Sequence, residues 1–288
     1  MSDRYNTPAG RVFDVFNVVL LGVVGVLALL PFLFIVGGSL ATEAELTRRS
    51  FFIWPEHFSV GSYAAVFATP TFLRSLAVTI GVTAVGTLIQ LTITVCMAYP
   101  LARRRLPGRN IMISLIVFAM VFSAGMIPTF LMVKNLGLLN SWWALILPAA
   151  VNPFYLIIIK NFFQELPIEL EEAAMIDGAT ELRILWSVLL PLSKPVLATF
   201  ALFYAVGIWN DYMSPLLYLS DSSMWTLQMF LRQVTAAANV VNPDPNYILP
   251  AQGIKYAVVV VATVPILLFY PFLQKYFTKG VLIGAVKG

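Results

Sequence analysis

Six long apolar segments constrain the fold of this chain more than any other feature of its sequence. An α-helix rises about 1.5 Å per residue, so roughly 20 apolar residues cross the hydrocarbon core of a bilayer. A helix also satisfies its backbone hydrogen bonds internally, which a hydrocarbon environment requires. The sequence therefore predicts an all-α integral membrane protein with six transmembrane helices. They are expected near residues 14–38, 72–99, 111–133, 141–160, 195–219 and 255–277.

The composition fits a protein whose surface faces lipid. Hydrophobic residues make up 59% of the chain and charged residues 11%, with a mean hydropathy of +0.85. Soluble domains carry about 25% charged residues. No stretch between the apolar segments is long enough for a separate soluble domain, so we expect a single membrane domain over residues 1–288. The first apolar run, Val15–Val36, exceeds a signal-peptide core in length and is expected to be a retained helix.

Lysine and arginine residues set the expected orientation. If both termini lie in the cytoplasm, the cytoplasmic segments hold twelve Lys and Arg residues and the outside segments hold six. Such an excess on the inner side is the usual pattern of membrane proteins. The strongest indication is the short loop with Arg103, Arg104, Arg105 and Arg109, to which we assign orientation and no chemistry. The sequence thus predicts a multi-pass protein of the cytoplasmic membrane with both termini cytoplasmic.

The same sequence argues against several function classes. The net charge of +4 reflects this orientation rather than nucleic-acid binding, because no basic stripe with interleaved aromatics lies on a polar segment. Cys96 and His57 are each the only residue of their type, so we expect no disulfide within the chain and no metal site. A membrane-embedded enzyme would need a cluster of catalytic groups, and an ion-coupled transporter would bury several ionisable residues. Apart from Asp14, the first residue of the first span, only one acidic residue, Asp211, lies within a predicted span.

The polar loop between the fourth and fifth predicted spans, residues 161–194, carries the most informative pattern. Pro167 suits the first turn of a helix, and the acidic residues after it complement the helix dipole. Gly178 is expected to end that helix, and Thr180 can cap a second one that runs to Pro191. This predicts a helix–turn–helix outside the bilayer, which is either a solvated connector or a contact surface for a partner. An acidic stripe along the first helix would consist of Glu165, Glu169 and Glu172.

The spacing within this loop resembles a known motif. The loop resembles the EAA motif, which is found in permease subunits of bacterial binding-protein-dependent ABC importers. The matching residues are Glu172-Ala173-Ala174, Gly178 and Leu190-Pro191. Val188 is a mild departure, because the motif usually has isoleucine at that position. Other segments resemble the carbohydrate-uptake branch of that family: Asn152-Pro153-Phe154, Trp209-Asn210-Asp211 and Tyr270–Phe277. The resemblance covers roughly residues 72–288. It points to MalG-like permeases of the polysaccharide and oligosaccharide type, a group that includes the alginate importer.

This resemblance implies a type I ABC importer permease fold with a cytoplasmic coupling helix. The transmembrane core would cover about residues 72–277, the coupling loop about 161–194 and a C-terminal cytoplasmic tail 278–288. In that family the EAA loop docks into a cleft of an ATPase subunit. The implied ATPase-coupling residues are therefore Glu172, Ala173, Ala174, Asp177 and Gly178.

The resemblance also implies a set of partners. These are a second, homologous permease subunit, two ATPase subunits, and an extracytoplasmic solute-binding protein that delivers an oligo- or polysaccharide. The chain lacks the G-x-x-x-x-G-K-[ST] segment that cradles ATP in P-loop proteins, so we expect a transport subunit and no enzyme. ATP and Mg would bind the partner ATPases, and no cofactor would bind this chain. The alternatives are a permease of the same fold for another solute, such as phosphate or an oligopeptide, and an ion-coupled secondary transporter.

Polar and aromatic residues within the apolar segments are the candidates for a substrate pathway. They are Trp209, Asn210, Asp211, Tyr212 and Asn152, with Gln90 a weaker candidate. An ionised carboxylate at the centre of a bilayer costs about 2.5–3.5 kcal/mol on insertion scales. Asp211 is therefore expected either to face a water-filled cavity or to be hydrated near the outer end of its helix. Aromatic faces beside hydrogen-bonding groups suit a sugar, and alternating access between the two membrane sides is the expected mechanism.

Overall fold

The computed structural model describes the backbone of residues 8–237 and 252–285, and the side chains of residues 10, 12–236 and 252–268. Over these residues the regular secondary structure is helical, apart from one isolated bridge pair between Ala41 and Phe58. The predicted all-α class is confirmed. The described residues form two compact units, one within Met1–Pro70 and Gln233–Val264, the other within Thr71–Arg232 and Pro265–Gly288. The single membrane domain expected for residues 1–288 stays a prediction.

The first unit begins with the long helix α1 (Pro8–Ser39), which carries no charged residue after Asp14, followed by α2 (Glu43–Arg48) and α3 (Gly61–Ala68). The most apolar 18-residue window of Val12–Ser39 has a mean hydropathy of 3.0, and none of its residues is buried against the rest of the chain. A helix that is apolar all round is suited to lipid. The predicted span at 14–38 is therefore one uninterrupted helix.

A buried carboxylate organises the polar segment after α1. Glu45 on α2 accepts backbone N–H bonds from Glu56 at 2.9 Å and His57 at 3.2 Å, and it pairs with Arg49 at 2.9 Å. These donors, the Glu56 N–H first, favour the anion over the desolvation that opposes it and lower the pKa of the Glu45 carboxyl. The segment folds back on itself around this side chain.

The second unit begins with the longest helix of its core, α4 (Pro70–Ala102). Its 33 residues are long and apolar enough to cross a membrane, which agrees with the predicted span at 72–99. One face of α4 packs into two clusters of buried side chains. The first cluster includes Val95, Tyr99, Leu156, Ile184 and Phe200; the second includes Val78, Val82, Leu145, Ile146 and Tyr218.

The third predicted span is not the single helix expected at 111–133. Helix α5 (Arg109–Val121) ends at Phe122, and α6 (Met126–Asn135) leaves at an angle of 115°. The break contains Gly125, whose φ of +85° a residue with a side chain rarely adopts. An apolar run alone does not reveal this bend, because the residues on both sides of the glycine remain hydrophobic.

The fourth predicted span, 141–160, is also interrupted. It divides into the short helix α7 (Trp143–Ile146) and α8 (Pro153–Glu165). The Asn152 side chain accepts N–H bonds from Phe154 at 3.0 Å and Tyr155 at 3.3 Å, and Pro153 occupies the first turn. Proline lacks the N–H that would continue an earlier helix, so this pair starts a new one.

The coupling loop adopts the predicted helix–turn–helix. Helix α9 (Ile168–Ile176) is followed by a turn and by a continuous helical run. That run comprises α10 (Glu181–Ile184), a π-helical turn (Leu185–Leu189) and α11 (Leu190–Leu192). Thr180 caps it by accepting the N–H of Arg183 at 3.4 Å, as the sequence predicted.

The fifth predicted span, 195–219, consists of α12 (Lys194–Asn210) and α13 (Met213–Tyr218), separated at Asp211. Two further helices complete the described chain, α14 (Leu227–Ala237) and α15 (Gln252–Ala285). The backbone of α15 continues past residue 277, where the predicted sixth span ends and the predicted tail begins at 278. The rest of that tail, residues 286–288, lies outside the described part of the chain.

Among the described residues, fewer helices than the six predicted are long and apolar enough to cross a membrane. Among the described residues, two helices are individually long and apolar enough, α1 and α4. The number rises to four if each sharply bent pair counts as one span, α5 with α6 and the run Glu181–Leu192 with α12. The predicted fourth span fails this test because it is broken before Asn152. Six crossings and the orientation of the termini stay predictions.

Candidate coupling helix and translocation cavity

The end of α9 is fixed by a glycine turn. Gly178 has a φ of +78°, and its N–H donates to the Met175 carbonyl at 3.0 Å. The Ala179 N–H donates to the Ala174 carbonyl at 2.9 Å. This pair of bonds is a Schellman motif, which satisfies carbonyls that a helix end leaves unpaired. The prediction that Gly178 ends the helix is confirmed.

The five predicted coupling residues lie together on α9 and its turn. Glu172, Ala173, Asp177 and Gly178 are exposed, whereas Ala174 is half-buried and packs against the buried cluster around Tyr99. Apolar side chains also point outward here: Ile176 is 86% exposed. A short helix that shows small, acidic and apolar residues on one accessible surface is suited to contact another protein. The coupling role of these residues stays a prediction.

The acidic residues of α9 and of the end of α8 divide into two groups. Those of the predicted stripe, Glu165, Glu169 and Glu172, are exposed. Glu171 is 6% exposed and forms an ion pair with Arg103. The sequence assigned the arginine run to orientation and no chemistry, and the structure adds a structural ion pair for Arg103. Sequence reasoning missed this pair because the two residues lie in different loops.

The last turn of α4 is held by side chains from two other helices, α5 and α8. Arg109 Nε donates to the Leu101 carbonyl at 2.8 Å, and Gln164 Nε2 from α8 donates to the Ala102 carbonyl at 3.0 Å. These bonds satisfy carbonyls that a helix end leaves free. The end of α4 is thereby fixed next to the coupling loop.

A cavity of about 460 Å³ opens within the second unit. Three of the predicted pathway residues line it, Asn152, Asn210 and Asp211, and so does the weaker candidate Gln90. Other polar groups come from α4 and from the segment before α14. The polar and aromatic lining also includes Thr79, Thr83, Tyr155, Phe203, Tyr204 and Thr226.

For Asp211 the sequence left open whether it faces a cavity or lies near a helix end, and the structure shows both. It follows the last residue of α12 and is half-buried in the cavity wall. Its Oδ1 accepts the N–H of Met213 at 3.0 Å and of Ser214 at 3.1 Å, which caps α13. The residue therefore lies at a helix end and also borders the cavity.

Tyrosine side chains that the sequence did not single out connect the cavity walls. The Tyr204 hydroxyl is 2.7 Å from Thr94 Oγ1 on α4 and accepts the Asn152 N–H at 3.2 Å. The Tyr155 ring lies 5.0 Å from that of Tyr204 and 5.8 Å from that of Phe203. No local pattern announces this cluster, since its members come from three helices that meet only in the folded chain.

Two predicted pathway residues do not line the cavity. Trp209 is buried and lines a separate apolar groove of about 530 Å³ with residues of α4, α12 and α15. Tyr212 is exposed, and the Arg232 guanidinium lies 5.7 Å from its ring centre. Trp209 and Asn210 are successive residues of α12 and point about 100° apart, and the helix ends before Asp211 and Tyr212. The four consecutive residues therefore do not share one surface.

Comparison with known proteins agrees with this geometry. Residues 90–283 match the family of binding-protein-dependent transport system inner membrane components. The chain is 62% identical over 288 residues to protein LplC of Bacillus subtilis, covering 99% of this chain and 98% of LplC. It is 47% identical over 283 residues to the polygalacturonan/rhamnogalacturonan transport system permease protein YtcP of the same organism, covering 96% and 99% of the two chains.

A solved structure gives the same result. In the crystal structure of a bacterial ABC transporter involved in the import of the acidic polysaccharide alginate, one chain superposes with a TM-score of 0.88 at 33% identity, covering 95% of this chain and 99% of that one. A chain of a second alginate transporter structure, at 14% identity and a TM-score of 0.52, shares the fold alone. The protein thus has the type I ABC importer permease fold and belongs to the family of inner membrane components of binding-protein-dependent transport systems.

Proposed function

We propose that this chain forms half of the membrane pore of an ATP-driven importer for an oligo- or polysaccharide. A homologous permease would supply the other half, and an extracytoplasmic binding protein would deliver the saccharide. Two ATPase subunits would bind and hydrolyse ATP with Mg, and this chain would bind no cofactor. It would cross the bacterial cytoplasmic membrane several times, with both termini in the cytoplasm.

The observation that carries this proposal is the exposed surface of α9. Its helical end is fixed by the Gly178 turn, so the surface has a defined shape. Glu172 and Ala173 lie on it beside Ile176, a large apolar residue that is 86% exposed. Exposed apolar groups on a surface rimmed by charges mark a protein contact. The small side chain of Ala173 would let the ATPase backbone approach closely.

The cavity supports a saccharide as the transported solute. Amide, carboxylate and hydroxyl groups can pair with sugar hydroxyls, and the ring of Tyr155 offers an apolar surface for a pyranose face. The relatives point the same way, since YtcP is named as a polygalacturonan/rhamnogalacturonan permease and the similar structure belongs to an alginate importer.

The proposed mechanism is alternating access. ATP binding would close the paired ATPases and move the coupling helices that dock on them. The helices around the cavity would then turn it from the cytoplasmic side to the outside, where the binding protein releases the saccharide. ATP hydrolysis would return the pore to its inward-facing state.

Substitution of Ala173 tests the contact with the ATPase. Ala173→Arg places a long charged side chain on the proposed contact surface, and Ala173→Ser adds a single oxygen. The full complex should be purified through the ATPase subunit and its ATP hydrolysis measured with saccharide-loaded binding protein. We expect Ala173→Arg to abolish co-purification and stimulated hydrolysis, because overpacking and an unpaired charge each weaken a close contact.

The control variant Ala173→Ser should behave like the unaltered complex. Both variants should reach the membrane at normal levels, since residue 173 is exposed. Full saccharide-stimulated hydrolysis in the Ala173→Arg complex would refute the proposed docking surface. If saccharide-loaded binding protein does not stimulate ATP hydrolysis by the unaltered complex, the proposed importer function is refuted.

A further inference from the structure

We propose that Arg103 is a positioning residue that transmits the movement of α9 to α4, a helix of the cavity wall. The proposal rests on the importer function described above. It assigns to one charged side chain a specific part in the connection between the coupling loop and a helix that is not joined to that loop by neighbouring peptide bonds. Gln164 and the buried cluster around Tyr99 also connect the two.

Arg103 contacts both limbs of the coupling loop. Its guanidinium pairs with Glu171 on α9 and lies 3.7 Å from Glu181 Oε2 on α10. These two acids lie on opposite sides of the Gly178 turn. A movement of either limb would therefore change the position of the same guanidinium.

The same guanidinium is bound to α4 itself. Its Nη2 donates to the Tyr99 hydroxyl at 2.7 Å, and its Cζ lies 4.6 Å from the centre of the Tyr99 ring. The Tyr99 hydroxyl donates its proton to the Glu181 carboxylate and lies 3.2 Å from the Glu181 carbonyl oxygen. Arg103, Tyr99, Glu171 and Glu181 thus form one network, which we call the Arg103 cluster.

Burial strengthens the Arg103–Glu171 pair of this cluster, whereas the Glu181 side chain is 65% exposed. Glu171 is 6% exposed, and the Arg103 side chain is 26% exposed. Charges that are shielded from water attract each other more strongly, and removal of one partner leaves an uncompensated charge. The adjacent Arg104 and Arg105 are exposed, and neither has a side-chain partner among the described residues. The position of Arg103 therefore differs from that of its neighbours in the same basic run.

Chain connectivity explains why such a cluster is needed. The coupling loop continues directly from α8 and into α12, so peptide bonds transmit its movement to those helices. Helix α4 enters the second unit earlier in the chain and has no such continuity with the loop. Its cytoplasmic end is instead held by Gln164 at the Ala102 carbonyl and by the Arg103 cluster.

Helix α4 reaches from the Arg103 cluster to the cavity. Thr79, Thr83 and Gln90 on α4 line the cavity, and Arg103 directly follows the helix. From Gln90 to Ala102 the helix spans about 18 Å at 1.5 Å per residue. Displacement of its fixed end would move the cavity lining as part of the same helix.

The test is the number of saccharide molecules transported per ATP hydrolysed. The complete complex, with its ATPases and saccharide-loaded binding protein, would be reconstituted in liposomes. Arg103→Gln should assemble and hydrolyse ATP, with transport per ATP reduced about tenfold, the usual scale of coupling between distant sites. Arg104→Gln removes the same charge from the same loop and should leave the ratio unchanged.

Two further variants separate transmission from folding. Each single change, Arg103→Glu or Glu171→Arg, should lower transport per ATP. The double variant should recover most of this loss, because it forms the same ion pair with the charges exchanged. Tyr99→Phe keeps the buried ring but removes its hydroxyl bonds, and it should lower the ratio severalfold even if Arg103→Gln fails to accumulate.

Transport per ATP that is equal in Tyr99→Phe, Arg103→Gln and the unaltered complex would overturn the inference. Equal losses in Arg103→Gln and Arg104→Gln would also overturn it, since they would indicate a general effect of charge. A different result, in which the unaltered complex shows no hydrolysis that depends on binding protein and saccharide, would refute the importer function instead.

Discussion

Gly178 shows how one backbone conformation shapes the candidate coupling surface. Its φ of +78° places it in the left-handed region, where a side chain clashes with the backbone. A Cβ at this position would meet no other atom within 4 Å, so space does not restrict the residue. The restriction comes from the turn that redirects the chain from α9 to α10.

Gly178→Val should therefore disturb the coupling loop, whereas Gly178→Asn should be tolerated. Valine in the left-handed region costs at least about 1–2 kcal/mol, and asparagine adopts it more readily. We expect Gly178→Val to reduce the stimulation of ATP hydrolysis by loaded binding protein, with normal amounts of protein in the membrane. Equal stimulation in the valine and asparagine variants would show that the left-handed turn does not matter for coupling.

Asn152 and Asp211 show what residue type can and cannot reveal. Both were predicted from the sequence as polar groups in apolar surroundings, and both line the cavity. Each also caps the start of a helix, α8 or α13, through its side-chain oxygen. Trp209 and Tyr212 belonged to the same prediction but point elsewhere, because their directions depend on helix rotation rather than on polarity.

The interruptions of the helices could not be predicted from the apolar segments. Two of them, before α8 and between α12 and α13, border the cavity, since Ala149 and Asn152 line it from one break and Asp211 from the other. Non-helical backbone within a membrane is tolerated where protein buries it or where it lines a water-filled cavity. The interruptions are therefore expected where they occur, although hydropathy predicted continuous spans.

Close helix packing in the first unit gives a test at the same scale. A Cβ on Gly37 of α1 would lie 2.3 Å from the Ile53 carbonyl oxygen, whereas one on Gly22 of α1 would meet nothing within 4 Å. We expect Gly37→Ala to destabilise the protein by roughly 1–3 kcal/mol through overpacking. Gly22→Ala should have no such effect. Thermal unfolding in detergent measures both, and equal midpoints would contradict this packing.

At the scale of the whole molecule, the predicted orientation of the loops across the membrane can be tested by labelling. The excess of Lys and Arg predicts that the loop after α4 is cytoplasmic and the segment after α1 is outside. Cys96 is the only cysteine in the chain, so its removal leaves a background without thiols. Exposed positions suitable for a new thiol include Ser50 in the segment after α1 and Pro107 in the loop after α4.

In a Cys96→Ser background, Ser50→Cys should react with a membrane-impermeant maleimide added to intact spheroplasts. Pro107→Cys should react only after the membrane is permeabilised. The Cys96→Ser protein without a new cysteine gives the background signal. Labelling of Pro107→Cys in intact spheroplasts would reverse the predicted orientation.

The sequence alone determined that this chain is helical and lipid-facing, and that Gly178 and Thr180 bound the two limbs of the coupling loop. These features depend on local chemistry, namely the length of the apolar segments, the conformational freedom of glycine and the ability of threonine to cap a helix. The tertiary structure alone decided the pairing of Arg103 with Glu171, the tyrosine contacts across the cavity and the separation of Trp209 from Asp211. Those features depend on how helices distant in sequence rotate and pack. The residues next to a side chain in the sequence do not determine its direction after packing.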